Sequence, residues 1–192
     1  MLHLFIKLIL LLKKRLVTMT SIQLLKVLDE IDKNLRISVL SAKQLRLFFP
    51  NESKSVFSVG LNRQVKNGLL VKLCNGLYFN KRSRHIPPNF LEYVATKIRT
   101  KETFYLSLES VLSENGLISQ IPNRLTFISS SRSQIFHTPY GIIEFVKTSK
   151  KEFFDKKNGI VYNENRGIFE ASVERAIKDA YQHRRSIDLL EE

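Results

Sequence analysis

The chain has 192 residues, 43% hydrophobic and 26% charged, a balance that excludes global disorder and suits one or two small globular domains. It carries 31 Lys and Arg against 18 Asp and Glu, a net charge of +13, with a pI near 9.9. The single cysteine, Cys74, excludes an intrachain disulfide framework and a cysteine-built zinc cage, and it fits a reducing compartment, so a cytoplasmic location is expected.

The excess charge is localised. Residues 1–18 hold 4 basic and no acidic side chains, residues 19–86 hold 12 and 4, and residues 87–192 hold 15 and 14. A local positive field attracts polyanions and raises their encounter rate. Charge by itself does not separate nucleic acid from an anionic membrane surface.

In chain order, Leu2 to Leu12 is an apolar run broken by Lys7 and followed by Lys13-Lys14-Arg15. It falls short of the roughly 20 apolar residues that span a bilayer. The basic residues follow the run and no small-residue cleavage site comes after it, which argues against a secretory signal. Residues 1–18 are therefore read as an extension outside the fold, with Met19 as the natural start and an interfacial anchor as the alternative.

Thr20 or Ser21 caps a predicted helix to about Lys33, with Leu24, Leu25, Leu28 and Ile31 at helical spacing. Arg36 to Leu40 is short and partly β-branched. Ser41 caps a second helix, Ala42 to Phe48, stopped by Pro50. A third runs from about Lys54 to Asn67, with Gly68 just past its end and Phe57, Leu61 and Val65 as its apolar stripe. Gly60 permits close approach on that stripe at ~1 kcal/mol of helix propensity. Two apolar runs flanking Asn75-Gly76 predict a hairpin, since both residues tolerate positive φ.

Lys81 to Pro88 reads as a linker. Beyond it a helix is expected around Phe90 to Ile98, and a short one capped by Ser107 and stopped by Asn115-Gly116. Strands are expected at Leu125 to Ser129 and Gly141 to Val146, and a last helix at Glu170 to Tyr181. The expected fold class is α+β. Residues 19–86 form a winged helix-turn-helix and residues 87–192 a small α+β domain.

Three helices followed by a hairpin is the order of a winged helix-turn-helix, whose third helix enters the major groove. With Phe57, Leu61 and Val65 inward, Ser55, Ser58, Asn62 and Arg63 face outward, with Lys66 at the edge. Small hydroxyls allow close approach, and Asn and Arg make bidentate contacts to base edges. Lys54, Lys66, Lys72, Lys81, Arg82 and Arg84 are the expected phosphate contacts. The competing view is a three-helix packing unit with a solvated polar face, or a winged helix that binds protein.

No Walker-type or dinucleotide glycine loop is present, and His3, His85, His137 and His183 are scattered. No catalytic residue, cofactor or metal site is expected. A nuclease would need convergent carboxylates, yet residues 115–143 contain no Asp or Glu. Glu144 is read as a structural ion-pair member, and Glu170, Glu174 and Asp179 as parts of a solvated helix face.

Several blocks in order carry a resemblance. Val65-Lys66-Asn67-Gly68-Leu69-Leu70, Leu73 and Asn75-Gly76-Leu77-Tyr78-Phe79 form the first. Ser107-Leu108-Glu109-Ser110-Val111-Leu112 with Asn115-Gly116-Leu117, then Gln120-Ile121-Pro122, form the second. Glu174, Ala176 and Asp179 within Ala171 to Tyr181 form the third. Over about residues 21–185 the chain resembles the AbiEi-type antitoxins of type IV toxin–antitoxin systems. It departs from them at Gln64, where an apolar residue is usual, and at Gly60, where alanine is common.

The resemblance implies a winged helix that binds inverted repeats in double-stranded DNA near its own promoter. It also implies a second domain that counteracts a nucleotidyltransferase-like toxin without a stable complex. A homodimer on DNA is expected from operator symmetry. The alternative is a stand-alone regulator whose second domain senses a ligand or dimerises. A nuclease with a winged-helix targeting module and a membrane-surface protein are the remaining contenders.

Overall fold

The computed structural model describes residues 18–149, 158–185 and 188, so the expected extension lies outside the described residues except for Thr18. The chain divides into two compact units, Met1–Pro88 and Asn89–Glu192. Among the described residues it is a mixed α+β protein with six helices and two sheets. No helix among them is long and apolar enough to cross a membrane.

In the first unit, α1 (Ser21–Leu35) starts at a capping box. The Thr20 hydroxyl accepts from Gln23 N at 3.2 Å, and the Gln23 side chain returns to Thr20 N. Arg36, in the left-handed region, ends it. Leu24, Val27, Leu28, Ile31 and Leu35 recur on one stripe and are buried.

The next strand, β1 (Val39–Ser41), leads directly into α2 (Ala42–Arg46), where Ser41 and Gln44 form a second capping box. The predicted α2 ran to Phe48. The observed helix stops at Arg46 because the following amides turn tighter, bonding three residues back from Leu47 to Gln44, Phe48 to Leu45 and Phe49 to Arg46. That tightening drives both Phe48 and Phe49 into the core.

Ser53 caps α3 (Lys54–Lys66), its hydroxyl accepting from Val56 N at 3.3 Å. Amides of Gly68 and Leu69 close the far end on the carbonyls of Val65 and Gln64. The hairpin is β2 (Val71–Cys74) and β3 (Leu77–Phe79), turning at Gly76 with φ 74°. The three strands lie in the order β1-β3-β2, all antiparallel. Leu77, Tyr78 and Phe79 are all buried because β3 is central. One hydrophobic cluster joins α1, α2, α3 and this sheet.

The second unit has a six-stranded mixed sheet in the order β6-β7-β5-β4-β9-β8. The strands are β4 (Phe104–Leu106), β5 (Arg124–Ser129), β6 (Gln134–Thr138), β7 (Gly141–Lys147), β8 (Ile160–Asn163) and β9 (Ile168–Ala171). The helices are α4 (Phe90–Ile98), α5 (Glu109–Glu114) and α6 (Val173–His183). Phe104, Phe127 and Phe145 meet edge-to-face or stacked, each pair 5.4 Å apart between centroids.

Two sequence expectations change here. Ser107 does not cap α5; its hydroxyl donates instead to Asp179 at 2.8 Å, and Leu108 enters the helix at φ 55°. The last helix starts at Val173 with Ser172 as its cap, and Glu170 belongs to β9.

Candidate nucleic-acid interface

Every residue expected at the interface is exposed: Lys54, Ser55, Ser58, Asn62, Arg63, Lys66, Lys72, Lys81, Arg82 and Arg84. They lie on α3, the hairpin and the turn that follows it, and two of them, Arg63 and Arg84, bond to α1 or its start. The buried stripe of α3 is Phe57, Gly60, Leu61 and Gln64, with Val65 only half-buried. The stripe is therefore rotated from the expected Phe57-Leu61-Val65 line. At about 100° per residue, Ser55, Val59, Asn62 and Lys66 then point most directly outward. Ser58 moves to one edge and Arg63 to the other.

The rotation has a visible cause at Gly60 and Gln64. Met19 is 1% exposed, and a Cβ on Gly60 would stand 3.5 Å from its sulfur. The Ser21 hydroxyl donates to Gln64 Oε1 at 2.9 Å, holding the polar side chain inside. The Met19 amide donates to the buried Glu52 Oε1 at 2.5 Å, and Arg63 Nη2 donates to the Met19 carbonyl at 2.9 Å. Arg63 thus spends part of its guanidinium on the start of α1.

On the other side of α3 lies a groove of about 300 Å³. Phe57, Leu61, Ala42 and Tyr78 give it apolar walls, and Lys43, Arg46 and Lys54 bring three cations to it. Ser58 and Gly76 complete its lining. Lys43 and Arg46 were not singled out in the sequence. The signal was present: the Ser41-x-x-Gln44 box fixes α2, which puts these two basic residues three apart on one face. Lys72 pairs with Tyr78 across the hairpin, so both side chains stand on the same face of the sheet.

The hairpin turn is tied down. Gly76 accepts from the Ala42 amide at 2.8 Å, so the turn and the start of α2 are joined. Burial pushes the thiol of the adjacent Cys74 upward. Lys81 and Arg82 follow β3 in a turn held by Asn80, whose Oδ1 accepts from the Arg82 amide at 3.1 Å.

Arg84 stands elsewhere. Its Nε donates to Asp32 at 3.2 Å, while Ser83 donates its hydroxyl to the same carboxylate and His85 Nδ1 lies 3.1 Å away. Burial raises the Asp32 pKa, and the bonds from Ser83, His85 and Arg84 outweigh it, leaving the carboxyl at about 2.

The electrostatics follow from burial. Of the four acidic residues in 19–86, Asp32 and Glu52 are buried and turned to internal donors. No acid lies on α3, and Lys43, Arg46, Lys54, Lys66, Lys72, Lys81 and Arg82 have no ion-pair partner among the described residues. Their field is free to act on an external polyanion.

In the second unit five arginines are turned to internal carboxylates. Glu144 receives Arg124 at 3.0 Å and Arg185 at 2.8 Å, the structural role read for it in the sequence. Asp179, 2% exposed, accepts from Tyr105, Ser107 and Arg175 at 2.8–2.9 Å, so it is not part of a solvated face. Arg175 Nη2 closes the ring on the Tyr105 hydroxyl. Arg166 bridges Glu92 and Glu114, each at 2.7 Å. Among the described residues no three His, Cys, Asp or Glu side chains are grouped to hold a metal ion.

The chain is thus a two-unit α+β protein whose first unit, three helices and a three-stranded sheet among the described residues, carries nearly all of the net positive charge. No protein-family model matches it, and no curated protein matches it.

Proposed function

We propose that the first unit is a winged helix that binds double-stranded DNA, with α3 in the major groove and α2 and the hairpin along the backbone. The observation that carries this reading is the outward face of α3. It is exposed, free of acidic residues, and presents Ser55, Asn62 and Lys66 beside the groove that Lys43, Arg46 and Lys54 line. A strand between the first two helices, pairing with the second strand of a hairpin after the third, is the connectivity such a module requires.

Phosphate contacts fall to Lys43, Arg46, Lys54, Lys72, Lys81 and Arg82, and base contacts to Ser55, Ser58 and Asn62. Together with the family resemblance of the sequence blocks, this supports a DNA-binding antitoxin. It represses its own operon at inverted repeats and counteracts a nucleotidyltransferase-like toxin through the second unit.

The test is binding of the purified chain to the DNA upstream of its own gene, against a scrambled duplex, over a range of salt concentrations. Selective binding that survives physiological salt is expected. Equal binding to both duplexes that collapses with salt would overturn the reading. For the second unit, toxicity of the neighbouring gene, relieved by co-expression of this chain, is the expected result.

A further inference from the structure

Two exposed apolar side chains of α3, Val59 on its outward face and Val56 at the edge where Arg63 lies, are not explained by packing. Val59 is 66% exposed and Val56 55% exposed. Single exposed hydrophobics are ordinary. These two lie one turn apart on the helix whose opposite face builds the core. Valine is also a poor choice for a solvated helix position, since its branched side chain loses rotamer freedom against the preceding turn. Val59 and Asn62 project about 60° apart, so one surface patch presents an apolar branched group beside a carboxamide.

In the major groove those two chemistries meet one partner. Thymine offers the only apolar group there, its C5 methyl, and adenine offers the donor and acceptor pair that a carboxamide matches. Exposed Lys54, Lys66 and Lys72, with no ion-pair partner among the described residues, make the surroundings complementary to a duplex.

We infer that Val59, with Val56 beside it, reads thymine methyl groups while Asn62 takes a neighbouring adenine edge, so that the preferred duplex carries A·T pairs beneath the middle of α3. This inference rests on the DNA-binding reading above. Val59 and Val56 set sequence preference, and the lysines do not.

The experiment uses the full chain and a pool of duplexes with a randomised centre. The most strongly enriched duplex is synthesised twice, once with thymine and once with 2′-deoxyuridine, which lacks only the C5 methyl. Wild type is expected to bind the uridine duplex roughly fourfold to fifteenfold more weakly, the scale of one or two buried methyl groups. Val59→Ala is expected to bind both duplexes alike, at the weaker level. Equal binding of the two duplexes by wild type would overturn the inference and leave DNA binding standing. So would a Val59→Ala chain that keeps the uridine discrimination, because Val59 would then not be the group that meets the methyl; a change in its sedimentation would assign the valine to a protein contact instead. If no duplex is enriched, the DNA reading itself fails and the inference with it.

Discussion

The two units treat arginine in opposite ways. In the second unit Arg99, Arg124, Arg166, Arg175 and Arg185 all reach carboxylates, and Arg175 is only 8% exposed. In the first unit most cations stand in solvent while two of four acids are buried. Net charge alone would say only that one half is basic. Ion pairing adds what net charge omits: in the second unit these five arginines are tied to its own carboxylates, whereas in the first unit only Arg84 reaches one among the described residues. A buried pair contributes little net stability but is costly to break, whereas an exposed lysine is cheap to lose and acts over distance.

That contrast gives the predictions an order. Asp179→Ala should destabilise the second unit by about 3–5 kcal/mol, because Arg175 would be left buried without its carboxylate. Urea unfolding followed by tyrosine fluorescence measures this, and a loss below about 1 kcal/mol would mean that the network is slack.

Asp32→Asn should cost the first unit about 2 kcal/mol by weakening the contacts that Ser83, His85 and Arg84 make to one carboxylate. Its pH behaviour is specific. The folded carboxyl is depressed from 3.8 to about 2, so its stabilisation is complete above about pH 4 and is lost as pH falls towards 2. The gap in thermal midpoint between wild type and Asp32→Asn should therefore narrow over that window; a gap independent of pH would break the assignment.

On DNA, Asn62→Ala should cost about 1–3 kcal/mol and relax sequence preference. Lys43→Ala or Lys72→Ala should weaken all duplexes alike and reduce the salt slope by about 1. Titrations at several salt concentrations distinguish the two kinds of variant, and identical behaviour would remove the distinction between base and phosphate contacts. The smallest effect is expected at Gly60. Alanine there gains up to about 1 kcal/mol of helix propensity, and its methyl would meet the Met19 sulfur at an ordinary contact distance. Gly60→Ala should raise the thermal midpoint slightly, and a fall would mean that the α1–α3 approach is tighter than 3.5 Å.

Local signals in the sequence were strong where one residue does a local job. Thr20 and Ser41 cap helices, Asn75-Gly76 turns the hairpin, and the period of α3 names its exposed residues, though not which of them point most directly outward. Elements defined by distant partners were hidden. β1 is three residues long and becomes a strand only by pairing with β3. β4, β8 and β9 are similarly short, and β4 finds β9 in parallel across more than sixty residues. The burial of Gln64 could not be read from α3, because its partner is Ser21 on α1. Asp179 looked solvated for the same reason, since its donors Tyr105 and Ser107 lie on the far side of the unit's sequence.

Met19 has a practical consequence for anyone shortening this chain. Its thioether fills the space beside Gly60, its amide serves Glu52, and its carbonyl holds Arg63. A version beginning at Thr20 would open a hole between α1 and α3 and strand a carboxylate inside it. It would also release an arginine beside the helix proposed to read DNA. Residue 19 is therefore the trimming limit of the first unit, and a truncation one residue too deep would register as altered DNA affinity as well as lost stability.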